Sequence, residues 1–295
     1  MLVARFPGAR GALSALQTLR FDWKHRGRRP IVVVHQMARV GSVSVLRAIR
    51  RAAPATNLFH THYLNPATIR HFEAQADRNF AANGEWGLHR ELLAARWLTT
   101  RLRRGGGGVG RWRIVSLVRD PVARTVSAFF RHFEYVFPLL GTQVRDDPAR
   151  VGQLLELFRN QSEFEHDFAL NWFEREVQDV FGIDVYADPF PHGTGYTRFS
   201  AETCDLLLLR LEDLDRTGAD VLQDFLGLPH VRLASENSAE REPYAASYRQ
   251  FLSQWRPTAE YLDRMYESRL ARHFYTAHER ARFRSRWKTA GASEL

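Results

Sequence analysis

The chain has 295 residues, 44% of them hydrophobic, which is enough to close a substantial core and excludes a disordered or fibrous class. A net charge of +9 points to an anionic ligand, an acidic polymer or a membrane surface, and nucleic acid fits the charge equally well. Cys204 is the single cysteine, so internal disulfides and a cysteine-ligated metal site are excluded and a reducing compartment is expected.

Residues 1–29 read as a basic N-terminal arm, with Arg5, Arg10 and Arg20 and no acidic residue before Asp22. No apolar run approaches the ~18 residues of a membrane span. The expected location is the cytoplasm, with peripheral contact on the inner face of a membrane left open. Only Lys24 and Lys288 are lysines, so a function needing a central lysine must use arginine instead.

Ile31 to Val34 is a β-branched run and predicts a strand buried on both faces, the mark of a parallel sheet. Arg39, Gly41, Ser42 and Ser44 follow, and Val45 to Ala52 predicts a helix. A strand, a glycine-bearing turn and a helix N-terminus can hold an anion, because the first helical N–H groups lack intrahelical partners. On the residues alone an ordinary βα turn reads the same way. The Walker A pattern GxxxxGK[ST] is absent, which argues against kinase or NTPase chemistry.

Leu58 to Leu64 predicts a second strand carrying His60 and His62 on one face. Residues 67–81 and 89–103 predict helices, and Gly105 to Gly108 a loop. Arg113 to Val118 predicts a third strand. Asp120 then suits an N-cap and Pro121 the first helical position. In the helix that follows, Val122, Val126, Phe129, Phe130 and Phe133 form a face expected to dock on the sheet. Arg124, Ser127 and Arg131 lie opposite. Residues 138–150 read as loop, 151–181 as mostly helical, and Asp188 to Tyr196 as an irregular lid or acceptor-contacting segment. Leu206 to Leu214 predicts a further buried strand, and Gly227 and Pro229 close the next helix. Cys204 reads as a small core residue. The remainder to Lys288 reads as basic helices. The expectation is one α/β domain over residues 30–295, with helical insertions and a helical C-terminal region.

Two stretches, QMARVGSVSVL and VSLVRDPVARTVSAFF, together resemble the two cofactor signatures of sulfotransferases that use 3′-phosphoadenosine 5′-phosphosulfate (PAPS). A third, LLLLRLEDLDR, resembles the Arg-x-Glu-Asp-Leu segment of many of them. Within that superfamily the chain is most similar to the bacterial putative capsular polysaccharide synthesis proteins. The resemblance implies a three-layer P-loop-like fold with a central parallel sheet flanked by helices. It implies transfer of a sulfuryl group from PAPS to a hydroxyl of a carbohydrate or polysaccharide, leaving adenosine 3′,5′-bisphosphate, with no metal. It also implies that Arg39, Val40, Gly41, Ser42, Val43 and Ser44 hold the 5′-phosphosulfate and that Arg119 and Ser127 hold the 3′-phosphate. Arg241 is a further candidate, in a segment where Glu242-Pro243 replaces an expected lysine.

Arg39 stands where the superfamily usually has a lysine, although tyrosylprotein sulfotransferases are similar in using arginine there. A guanidinium supplies fixed donors to anionic oxygens but no proton near neutral pH. Transfer needs a base for the acceptor hydroxyl. His62 is the first candidate and His60 the second, with Glu91 and Glu134 as carboxylate alternatives. Two other readings stay open: a sulfotransferase-like protein that binds nucleotide or glycan without turnover, and a basic nucleic-acid-binding protein, for which no recognisable module is present.

Overall fold

The structure, a computed structural model, describes residues 19–21, 23, 31–83, 87–103, 110–137, 139–140, 142–160, 168–234 and 242–288, with the side chains of 80–90, 134 and 135 left out. Nearly all of the basic arm, the glycine run at 105–108, Arg241 and the Glu134 side chain lie outside the described residues.

Five strands form one sheet: β1 (Ile31–His35), β2 (Asn57–Thr61), β3 (Trp112–Val118), β4 (Tyr196–Ser200) and β5 (Cys204–Arg210), in the order β2-β1-β3-β5-β4. β1 runs parallel to β2 and β3, and β3 parallel to β5. Every residue of β1 is buried, as are Ile114 to Val118 and Leu206 to Arg210. Neighbours on a strand point to opposite faces, so both faces of the sheet are covered. Cys204 is fully buried at the start of β5.

The central strands are parallel as expected, and the sheet adds an edge that was not: β4 pairs antiparallel with β5. No residue of β4 is fully buried and its Arg198 is half-exposed, so the apolar signal that marks the inner strands is missing there. The backbone ladder to Leu206–Leu209 supplies the pairing instead. β2 ends at Thr61 rather than Leu64, which leaves His62 just beyond the strand. β5 begins at Cys204 and ends at Arg210, so Leu211 to Leu214 is not strand. Within 138–150, Thr142–Asp146 and Pro148–Arg150 are helical turns rather than loop.

Helix α1 (Ser42–Ala52) leaves the β1 turn, and α2 (Pro66–Asn83) and α3 (Gly87–Arg103) follow β2. Helix α4 (Pro121–Arg131) starts as the sequence predicts: the Asp120 side chain accepts from Val122 and Ala123 N–H, with Pro121 next. Its surroundings differ from expectation. Phe129 packs edge-on against Phe158 of α5 (Val151–Arg159). Further on come α6 (Ala219–Leu226), closed by Gly227 at φ +64, and α7 (Ala245–Gln254), whose Phe251 meets Phe130. Helices thus cover the aromatic face of α4. Its polar side is buried too, with Arg124 and Ser127 at 6% and 5% exposure, turned toward the β1 loop.

Three more helices, α8 (Ala259–Tyr266), α9 (Arg269–Phe274) and α10 (Ala277–Lys288), lie against the same end of the sheet. Thr258 and Ser268 cap α8 and α9 through their hydroxyls. The Arg-x-Glu-Asp segment fastens this region. Buried Arg210 donates to the Asp213 and Glu279 carboxylates and to the carbonyls of Phe274 and His192. Glu212 accepts from the Asp120 N–H at 2.8 Å and from Tyr275 Oη at 3.0 Å. Asp120 itself accepts from Tyr266 Oη, Arg286 Nη2 and Trp287 Nε1. The helix cap of α4 is therefore also the anchor of α10.

Candidate functional site

The chain passes from β1 to β2 on one side of the sheet and returns to β3 on the other side of β1. Between the carboxyl ends of β1 and β3 the strand order reverses, and open α/β sheets bind ligands at such a point. A cleft of about 730 Å³ lies there, within the roughly 300–1,000 Å³ of small-molecule sites. Arg39, Arg47, Arg119, Arg131 and Arg145 line it, against the carboxylates Glu91, Asp215 and Glu242.

The floor is the β1–α1 turn. Arg39 has φ +73 and Gly41 φ +85, both in the left-handed region. At Gly41 a side chain is doubly excluded, because a Cβ there would overlap Leu211 Cδ1. The glycine thus admits Leu211 from the third motif. Gly41 is the N-cap of α1 and offers no side chain to its first N–H groups, and the first turn holds no acidic residue. That end of the helix is a bare donor set with a positive partial charge. Ser42, Val43 and Ser44 line the cleft, whereas the Val40 side chain is wholly buried and can contribute only backbone.

The second predicted motif meets the first here. Arg39 Nε donates to Ser127 Oγ at 2.9 Å, and Arg119 Nη1 donates to the Arg39 carbonyl at 3.1 Å. Arg124 Nε donates to the Ala38 carbonyl, so two arginines pin the turn by its backbone. Burial pulls the Arg39 guanidinium below its usual value. Tyr244 opposes that pull, and the nearby Arg119 and Arg131 reinforce it. Like charges packed this closely favour an anion between them.

His62 also lines the cleft. Its Nδ1–H donates to the Gln36 carbonyl at 2.8 Å, which leaves a lone pair on Nε2. Burial holds its pKa below 6.5, opposed by Glu91 and by the Gln36 hydrogen bond, so the ring is neutral at pH 7. His60 touches His62 edge to face at 4.8 Å. Its Nε2 already lies 2.9 Å from Gln36 Nε2 and 3.2 Å from Ser42 Oγ. Burial pushes His60 down to about 3. Glu91 is exposed at the rim of the cleft.

Sequence reasoning missed Gln36, whose carbonyl orients His62 and whose amide touches His60. It also missed the grip of Arg124 on the turn and the seat of Leu211 over Gly41. Only Gln36 carried a signal, as a polar residue directly after a buried strand. The other contacts join positions more than eighty residues apart. Among the described residues no group of three or more His, Cys, Asp and Glu could hold a metal ion. No helix among them is long and apolar enough to cross a membrane.

A family model described as putative capsular polysaccharide synthesis protein matches residues 150–276. The match contains Arg210, Glu212, Asp213 and helices α7 to α9, and it ends before α10. It stops short of Arg39, Arg119 and Ser127. No curated protein and no solved structure matches the chain.

Proposed function

We propose that this protein is a PAPS-dependent sulfotransferase of P-loop-like fold that modifies a hydroxyl of a carbohydrate in polysaccharide biosynthesis. The observation that carries the reading is the meeting of Arg39, Ser127 and Arg119 at one point beside the bare N-terminus of α1. The family match over residues 150–276 supports the polysaccharide setting. The residues fit such a donor: a tight turn that excludes a side chain at Gly41, arginines for two phosphate groups, and a cleft of suitable size.

When bound, PAPS supplies an activated sulfuryl group whose bond to the phosphate oxygen breaks as the acceptor oxygen attacks sulfur. In this reading Arg119 and Ser127 hold the 3′-phosphate, and the N–H groups of Gly41 to Ser44 hold the 5′ side. Arg39, with donors beyond the one given to Ser127, faces the charge that develops on the departing phosphate. His62 Nε2 takes the proton of the acceptor hydroxyl. His62 is preferred over His60 because the His60 Nε2 is already engaged.

The test is isothermal titration of the wild-type protein and Arg119→Ala with adenosine 3′,5′-bisphosphate, beside ATP, AMP and UDP-glucose. Selective binding of the 3′,5′-bisphosphate, weakened roughly 10- to 150-fold in Arg119→Ala by loss of a charged hydrogen bond, is expected. Preference for another nucleotide, or an unchanged variant, rejects the reading. A binding-only protein is the second reading, favoured by the engagement of Arg39 Nε with Ser127. Nucleotide binding with no turnover in wild type or in Arg39→Lys would establish it.

A further inference from the structure

Gln36 follows β1 directly and its side chain is wholly buried. Its amide nitrogen faces His60 Nε2, its amide oxygen has no partner, and Ser42 Oγ approaches the same His60 nitrogen. A neutral imidazole nitrogen either carries a hydrogen or offers one lone pair. With the lone pair on Nε2, His60 accepts from Gln36 and competes for the Ser42 hydrogen. Ser42 then turns oxygen lone pairs toward the cleft, the wrong polarity for an anion.

Half a turn of the Gln36 amide, with the imidazole hydrogen on Nε2 instead of Nδ1, reverses the chain. His60 then shares its one Nε2 hydrogen between the Gln36 oxygen and Ser42 Oγ, and the Ser42 hydrogen is free to point at the end of α1. One proton leaves Nδ1 for water and one arrives at Nε2, so the charge is unchanged. One end of the buried amide lacks a partner in either arrangement, so neither is strongly preferred by satisfaction alone. Burial keeps His60 neutral, so it reverses by tautomer and not by charging.

We infer that Gln36, His60 and Ser42 form a reversible hydrogen-bond relay, in which an anion at the N-terminus of α1 selects the arrangement where His60 donates to Ser42 and Ser42 donates to the anion. The inference rests on reading this cleft as an anion site. His60 is then a positioning residue that acts on the ligand through Ser42.

The experiment is long-range ¹H–¹⁵N spectroscopy of the full chain labelled at histidine nitrogen, with His60→Gln to assign the His60 signals. Spectra are taken without ligand, with inorganic phosphate and with adenosine 3′,5′-bisphosphate. The expected result is a His60 pattern that shifts toward Nε2–H on saturation with either anion. An unchanged tautomer with ligand bound overturns the relay. A tautomer change with phosphate but no binding of the nucleotide supports the relay and rejects the sulfotransferase reading. Failure to bind either anion rejects both. Gln36→Met should bind adenosine 3′,5′-bisphosphate about tenfold more weakly. Gln36→Glu, whose carboxylate only accepts, should place a hydrogen on His60 Nε2 before ligand is added, and a bare Nε2 in that variant overturns the relay. A purely structural role for Gln36 would leave the tautomer indifferent to both changes.

Discussion

Two groups of arginines at the same end of the sheet behave in opposite ways. Arg210 is buried and meets two carboxylates and two carbonyls. Although burial opposes its charge most strongly, Asp213, Glu279 and Tyr275 together outweigh that and raise its pKa. Arg39 sits beside Arg119 and Arg131, donates to a serine, and is pulled downward by burial. The first arrangement is complete in itself. The second leaves positive charge that a ligand anion would complement. Sequence cannot separate them, since both are arginines at or just past the end of a buried strand. The partners decide which one is spent on holding the fold and which one keeps charge facing the cleft.

The contrast can be broken by substitutions on either side. The largest effect is expected at His62. His62→Gln removes the preferred base and should lower kcat by about 10²–10⁴-fold with the melting temperature little changed. Because burial lowers its pKa, the protonated form appears only at pH below the ordinary 6.5. The acid limb of the wild-type kcat/KM profile should therefore lie below that pH and vanish in the variant. A limb at or above 6.5 would remove His62 from the role.

Arg210→Ala leaves Asp213 and Glu279 without their buried partner and should cost about 3–5 kcal/mol in urea unfolding. A loss under about 1 kcal/mol would mean that the C-terminal helices are held by other contacts. Gly41→Ala combines left-handed backbone with overlap on Leu211 and should cost about 1–3 kcal/mol. Adding Leu211→Ala should restore nucleotide binding in part, because it relieves the overlap but not the backbone strain. No recovery at all would place the whole defect in φ. The smallest effect is at Ser127→Ala, where a hydrogen bond with a charged group worth about 1.5 kcal/mol is lost and adenosine 3′,5′-bisphosphate should bind about tenfold more weakly by titration calorimetry.

Much of this frame was legible. The β-branched run at Ile31 marked a strand buried on both faces, and the Arg-Asp-Pro step marked a helix start with a capping carboxylate, because those are local rules. Gly227 marked a helix end for the same reason. β4 was not legible, since an edge strand held by backbone pairing needs no apolar alternation. The burial of Arg124 and Ser127 was equally hidden. Their place opposite an aromatic stripe does not say what covers that side, and the β1 turn occupies it and uses both as partners. The separate duty of each histidine depended on Gln36, whose two ends touch different rings.

Asp120 accepts the first N–H groups of α4 and, through its other oxygen, Arg286 and Trp287 of α10. A chain growing from the ribosome exposes residue 120 long before residue 286. Until the final helix docks, the second Asp120 oxygen has only water to accept from. Arrival of the final helix replaces that water and brings Trp287 down on the cap. Chains cut before residue 286 lose both donors to the second Asp120 oxygen and should show faster amide exchange in the first turn of α4.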